Sequence, residues 1–194
     1  GKKQEYLDNG WHGFRSISNE IFTVDNIKYG ITSRTEVMVV DYIGTAAAVT
    51  IPETADNGQF PYTVPAIKES AFQNKGLANV DIPNSVTSIG EEAFSDNKLT
   101  EVIISSSVER IDSHAFYNNP DLALGTVEAN DPPVLDPTAF ANANRHQIDL
   151  VVPTGRMQVY EENGWGGFKS TLDGSAPFQS IIDAPQNIDH LNPF

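Results

Sequence analysis

The stretch LANVDIPNSVTSIGEEAF, Leu77 to Phe94, decides the fold, because it recurs as LTEVIISSSVERIDSHAF from Leu99 to Phe116. Val64, Ile67, Ala71 and Phe72 match Val86, Ile89, Ala93 and Phe94, and these match Val108, Ile111, Ala115 and Phe116, each set 22 residues beyond the last. A looser copy places Val134, Leu135, Ala139 and Phe140 in the same roles, 24 residues separating Phe116 from Phe140, and the strand after it turns Leu150 and Val152 inward. A unit this short cannot bury its own apolar side, so neighbours must stack and share one core. Phe72, Phe94, Phe116 and Phe140 are expected to form an internal ladder.

Within one unit, Val80 and Ile82 alternate with Asn79 and Asp81, the period-two pattern of a strand with one buried face. Like strands stacked in register make a parallel sheet. The segments SIGEEAF and RIDSHAF lack strict alternation. Their Gly or Asp after the Ile predicts a tight turn followed by a helical turn on the opposite side.

Around the repeats, the runs between Ile21 and Tyr42 read as an antiparallel cap with turn residues at Asp25-Asn26. Asn57-Gly58 predicts a hairpin with positive φ at both central residues. The segment TGRMQVYEENGWGGF predicts an N-cap at Thr154, a helix carrying Met157 and Tyr160, a stop at Gly164, and Trp165 and Phe168 folded back on the last repeat. The chain then divides into residues 1–17, an N-terminal β cap at 18–48, repeats at 49–153 with a hairpin insertion at 53–64, a C-terminal cap at 154–170, and a tail or linker at 171–194. Residues 1–17 stand apart because YLDNGWHGFRS from Tyr6 matches YEENGWGGFKS from Tyr160, an offset of 154. This is the sequence of a C-terminal cap without repeats before it, and it reads as the remnant of a preceding array or as a connector.

Bulk composition narrows the function. Acidic residues outnumber basic ones by 26 to 12, giving a net charge of −14 that repels phosphate backbones, so no nucleic-acid partner is expected. The absence of cysteine removes disulfides, thiol nucleophiles and cysteine-held metals. No apolar run has the length of a membrane span and the start lacks an apolar signal core, so the reading is a soluble chain without direct membrane insertion, any export signal having been removed.

The unit L-x-x-V-x-IP-x-S-V-x-x-IG-x-x-AF resembles the BspA-type leucine-rich repeats. FTVDNIKYGITS, the hairpin leading into YTVPAIKESAF, and VPTGRMQVYEENGWGGF resemble that family's flanking elements, over residues 20 to 170. The resemblance implies a β-rich α/β repeat solenoid: a short right-handed leucine-rich-repeat array with parallel strands on its concave face, an antiparallel N-terminal β cap and a helical, aromatic C-terminal cap. It also implies a bacterial protein that is secreted or attached to the cell surface, with relatives that adhere to host matrix proteins or other cells, and it implies no chemistry. Three features depart from the pattern: Ser105 stands where Pro is usual, Gly125 stands where a strand apolar residue is expected, and only about four repeats are recognised.

The strand alternation sets two outward columns on the concave face as a candidate ligand-binding surface. One is Ala48, Asn79, Glu101, Leu124 and Asp149; the other is Thr50, Asp81, Ile103, Thr126 and Val151. Ile103, Leu124 and Val151 form an apolar stripe rimmed by Asp81, Glu101, Asp149 and Glu128, suited to an apolar knob with basic surroundings. Exposed β-branched residues also simply favour strands.

Nothing else carries chemistry. His12, His114, His146 and His190 have no metal or catalytic spacing. Glu91-Glu92 and Glu161-Glu162 point apart. The glycines of GWGGF follow a helix instead of a strand, and the acidic loops ETADNG and EANDPPVLD lack an EF-hand register. No enzyme activity, cofactor or metal is expected. Tyr62, Tyr117 and Trp165 are the aromatics to inspect for sugar stacking, against packing in core and caps. The leading reading is a surface module that binds a protein partner in adhesion, such as a host matrix or cell-surface protein. A structural spacer and a glycan-binding module within a larger surface protein are the alternatives.

Overall fold

A computed structural model describes residues 20–143 and 145–174. Its strands are β1 (Ile21–Val24), β2 (Ile27–Ile31), β3 (Glu36–Tyr42), β4 (Ala48–Thr50), β5 (Thr54–Asp56), β6 (Pro61–Ile67), β7 (Asn79–Asp81), β8 (Ser88–Ile89), β9 (Glu101–Ile104), β10 (Arg110–Ile111), β11 (Leu124–Val127), β12 (Val134–Leu135), β13 (Asp149–Val152) and β14 (Ser170–Asp173). Each 22-residue unit is one turn of a β-solenoid. A strand of the first sheet crosses to a two-residue strand of the second, and a turn carrying Ala-Phe leads back.

The first sheet has six strands, β4, β7, β9, β11, β13 and β14, all parallel. In the second, β6, β8, β10 and β12 run parallel, β3 joins β6 in parallel, and β2 and β1 extend the edge antiparallel. The core lies between them, fed by inward residues such as Val80, Val102, Ile104 and Leu150. The solenoid has about six turns with little helix, where four repeats were read from the sequence. In the first sheet, β4 and β14 flank the four strands between them, one at each end.

The expected helical turn opposite the first sheet is corrected. Ser70, Glu92 and His114, one residue before each Ala-Phe, have φ of 57°, 54° and 55°. That left-handed conformation, unusual outside glycine and asparagine, stops a helix before it starts. Backbone groups freed by this bond to the next turn instead: the N–H groups of Phe72, Phe94 and Phe116 donate to the carbonyls of Ala93, Ala115 and Ala139, each at 2.8 Å.

Those bonds set the rings one above another. Phe72–Phe94, Phe94–Phe116 and Phe116–Phe140 stack at centroid distances of 5.1, 5.5 and 5.0 Å with interplanar angles of 12°, 8° and 13°. Tyr42 continues the row at one end, 5.7 Å from Phe72, and Phe168 at the other, 5.6 Å from Phe140. Beside the rings run two buried asparagines. Asn97 Nδ2 donates to the carbonyls of Phe72 and Phe94 at 2.8 and 2.9 Å while its Oδ1 accepts from the amides of Lys75 and Leu77. Asn119 repeats the arrangement with Phe94, Phe116 and the amide of Leu99. Buried amides satisfied on every side hold a fixed geometry, because any displacement strands several polar groups at once.

The two departures from the repeat pattern have local explanations. Ser105 is buried and its hydroxyl donates to the carbonyl of Pro83, 22 residues earlier, at 3.1 Å. Gly125 leaves room on β11 that neighbours fill: a Cβ there would sit 3.7 Å from Leu150 Cδ1 and 3.8 Å from Ile148 Cγ2.

At the N-terminal end, the tight hairpin with two left-handed residues is the β1–β2 turn, Asp25 (φ 48°) and Asn26 (φ 65°). Asn57-Gly58 was expected to be such a turn and is not. The β5–β6 pairing places Asp56 opposite Pro61, leaving a four-residue connection in which only Gly58 is left-handed. Asn57 works through its side chain instead, its Oδ1 accepting from the amides of Gln59 and Phe60 at 3.0 Å each. Asp41 ties this end to the array, accepting from Lys28 at 2.9 Å and Lys75 at 3.0 Å.

At the C-terminal end, the helix α1 spans Met157–Tyr160 and has no side-chain cap. The N-cap expected at Thr154 is corrected, since Gly155 takes φ 75° and delays the helix. A wider turn, Glu161–Trp165, ends at Gly164 with φ 88°. Tyr160 donates to the carbonyl of Ala129 at 2.6 Å and Trp165 Nε1 to that of Pro133 at 2.9 Å. Burial pushes the Tyr160 hydroxyl up to about 12, so it remains a donor at neutral pH. The chain then enters β14, so the tail read from residue 171 onward is corrected through Asp173; the calls on residues 1–17 and 175–194 lie outside the described residues. Among the described residues no helix is long and apolar enough to cross a membrane.

Replacing Phe94 by alanine removes a rung with both neighbours stacked on it, and is expected to cost about 3–5 kcal/mol. Thermal melting checks this; an unchanged melting temperature would show that the ring bears no weight in the array.

Candidate binding face

The outward side of the six-stranded sheet is a lattice fixed by strand register. Ala48 pairs with Asn79, and Glu101 with Leu124 and then Asp149, a column that Ser170 of β14 extends. Thr50 pairs with Asp81, then Ile103, Thr126, Val151 and finally Leu172. These positions point out because the residues alternating with them, such as Val80, Val102 and Leu150, are held in the core.

Exposure is uneven along these columns. Asn79, Asp81 and Glu101 are exposed and Ile103 is 47% exposed, whereas Leu124, Thr126, Asp149 and Val151 are half-buried. Leu172 stands beside Val151 in direct register. Ile103, Leu124 and Val151 lie on three successive strands in a zigzag of diagonal neighbours, close enough for such side chains to form one patch. With Leu172 the patch has four apolar members. Leu172 was missed in the sequence because it follows the cap motif and carries no repeat signature; the only signal was the short run Ser170–Asp173 with branched Thr171.

The acidic rim is smaller than the sequence suggests. Asp149 accepts from Lys169 Nζ at 2.8 Å and from the Ser170 hydroxyl, and these two hydrogen bonds hold its carboxyl below the usual carboxylate range. It ties β14 to β13 and leaves little charge for a ligand. Glu128 sits past the end of β11, beside an open depression of about 440 Å³ also lined by Val108, Glu109, Pro132 and Pro133. Asp81 and Glu101 are the carboxylates that border Ile103 on the face itself.

The other candidates are scattered. Tyr62 packs against Phe22 and is buried, Trp165 is buried in the C-terminal cap, and Tyr117 meets His114 edge-on at 5.2 Å while accepting from Asn142. The described outward columns therefore carry no aromatic ring. Glu92 accepts from Gln73 and Glu162 from Gln158, each by a single side-chain bond. His146 lies in a 3-10 turn, Arg145–Gln147, and His12 and His190 fall outside the described residues. Among the described residues no group of three or more His, Asp or Glu is arranged to hold a metal ion. The face offers an apolar patch on a hydrogen-bonded sheet with carboxylates to one side.

The sequence profile of the BspA type Leucine rich repeat region matches residues 53–152, in six copies. The crystal structure of the T. pallidum Leucine Rich Repeat protein superposes with a TM-score of 0.54 at 19% identity, covering 80% of this chain and 82% of that one. A leucine-rich repeat protein from Bacteroides capillosus ATCC 29799 gives a TM-score of 0.43 at 24% identity, over 55% of this chain and 97% of its own. No curated protein matches the sequence.

In an NMR titration the Asp149 carboxyl is expected to titrate below the ordinary aspartate value of about 3.9. Its folded-state pKa is depressed, so the pairing supports β14 at neutral pH and is lost as pH falls through that lowered value. Lys169→Ala should move the titration upward; an unmoved midpoint would remove Lys169 as the cause.

Proposed function

The chain belongs to the BspA type leucine-rich repeat family, and from that premise we propose that it is a non-enzymatic recognition module of a bacterial surface or secreted protein. It takes a protein partner on the outward face of the six-stranded sheet. The observation that carries this reading is the patch of Ile103, Leu124, Val151 and Leu172, four apolar side chains presented by a hydrogen-bonded sheet with Asp81 and Glu101 alongside. Isolated exposed apolar residues need no explanation, but contiguous ones rimmed by charge mark contact surfaces.

The partner that fits is an apolar side chain flanked by Lys or Arg, on a host matrix or cell-surface protein. A net charge of −14 favours approach of a basic surface and repels nucleic acid. Because the face is a sheet and not a loop, it needs little ordering on binding, which reduces the entropic cost of association. A glycan would be held by stacking on exposed rings, and the columns offer none. A spacer role has one observation in its favour, the duplicated Tyr-x-x-Asn-Gly-Trp element at residues 6–11 and 160–165.

The test is binding of the purified chain to immobilised matrix proteins and a glycan panel, alongside Ile103→Lys. A protein signal that falls at least about tenfold in the variant, as for a central contact residue, supports the reading. Equal binding by both chains would exclude this face.

A further inference from the structure

Among the described residues asparagine is followed by glycine at two positions, Asn57-Gly58 and Asn163-Gly164. The pair has a chemistry of its own. The backbone nitrogen that follows an asparagine can attack the side-chain Cγ of that asparagine and close a succinimide ring, and glycine allows this best because it has no Cβ to obstruct the approach. The rate is raised by a base for the attacking N–H, by donors to the oxygen that gains charge, and by a leaving nitrogen that is free to depart.

The β5–β6 connection brings these together at Asn57. Asp56 Oδ1 accepts from the Gly58 N–H at 2.8 Å, so a carboxylate already faces the proton that the attacking nitrogen must lose. Asn57 Oδ1 accepts from the amides of Gln59 and Phe60, both at 3.0 Å. These two donors converge on the one oxygen that becomes an oxyanion when Cγ turns tetrahedral. Gly58 is exposed with φ 84°, and a Cβ there would meet nothing within 4 Å, so ring closure is uncrowded and open to water. Asn163 is held the other way round. Its Nδ2 donates to the carbonyl of Val159 at 2.8 Å, which ties down the group that would have to leave.

We propose that Asn57-Gly58 is a self-modification site, at which the folded hairpin converts Asn57 to aspartate and isoaspartate with Asp56 as base and the Gln59 and Phe60 amides as oxyanion donors. The bond from Gly58 N to Asn57 Cγ forms as the Gly58 proton passes to Asp56. The Cγ–Nδ2 bond then breaks, and that proton leaves on ammonia. One water opens the succinimide at either carbonyl, giving aspartate or isoaspartate. Either product sets a second carboxylate beside Asp56, and isoaspartate also adds a methylene to the main chain of the tip that carries Phe60, itself 57% exposed. The tip therefore changes in charge, and in part of the molecules in length, as the protein ages.

The experiment follows the purified full chain over time near neutral pH by mass spectrometry of tryptic peptides, read against a zero-time sample. Cleavage separates Asn57, in residues 35–68, from Asn163, in residues 157–169. Asn57 should convert at least about tenfold faster in the folded chain than in the same chain unfolded in guanidinium chloride, a small share of what a positioned base supplies in a closed site. It should also outpace Asn163 in the folded chain. Asp56→Ala should bring the folded rate down to the unfolded one. Asp56→Asn separates the base from the turn, since it keeps an acceptor at the same place but takes up no proton, and it should be slowed as well. A folded rate at or below the unfolded one, or a rate unchanged in either variant, would overturn the proposal.

Discussion

The N–H groups of Phe72, Phe94 and Phe116 each donate to the carbonyl of the alanine one turn further on, and the rest of the structure depends on those bonds. They fix the axial rise between turns, which brings the rings of Phe72, Phe94, Phe116 and Phe140 into stacking distance. They go with a left-handed turn two residues before each of these phenylalanines. Ser70, Glu92 and His114 accept that conformation at an intrinsic cost of about 1–2 kcal/mol each. The cost is offset because the same turn lets Ser70 and Glu92 donate their own amides across to the carbonyls of Glu91 and Ser113. Asn97 and Asn119 fill the interior of the bend, their amides bonded to backbone carbonyls of both adjoining turns.

Regular stacking on one side imposes register on the other. Since every turn rises by the same step, Asp81, Ile103, Thr126 and Val151 fall into one column without any contact designed between them. The alignment of the apolar patch is thus a consequence of the repeat, while the core packing is carried by the inward positions. That separation of scaffold from surface makes a binding role physically natural for such a face. The caps serve the same economy: Tyr42 and Phe168 continue the ring stack at its two ends, so the terminal rungs at Phe72 and Phe140 are covered on both sides.

The parallel sheet and the solenoid were legible in the sequence because large apolar residues at a strict spacing have one physical explanation, mutual burial between copies. Asn97 and Asn119 repeat at the same spacing and were equally visible, yet passed over because asparagine in a loop reads as solvent-exposed. The left-handed residues before Ala-Phe were not legible, since Ser70, Glu92 and His114 share no side-chain chemistry and their amides or those near them bond to the next turn. Tertiary context also decided the hairpins. Asn57-Gly58 has the stronger local signal, but the β5–β6 register leaves four residues to connect, while the pairing of Val24 with Ile27 forces the tight turn on Asp25-Asn26. On the binding face, which residues point outward follows from alternation alone. The engagement of Asp149 and the addition of Leu172 required knowing that β14 exists.

The central claim is that bonds between turns, and not structure within a turn, make the array one cooperative unit. Native-state hydrogen exchange at the amides of Phe72, Phe94 and Phe116 measures this directly. The account predicts that all three exchange together, only through global unfolding, and far more slowly than the amides of Gln59 and Phe60 in the exposed hairpin turn. Exchange of the three ladder amides at separate rates, close to those of the hairpin, would contradict it.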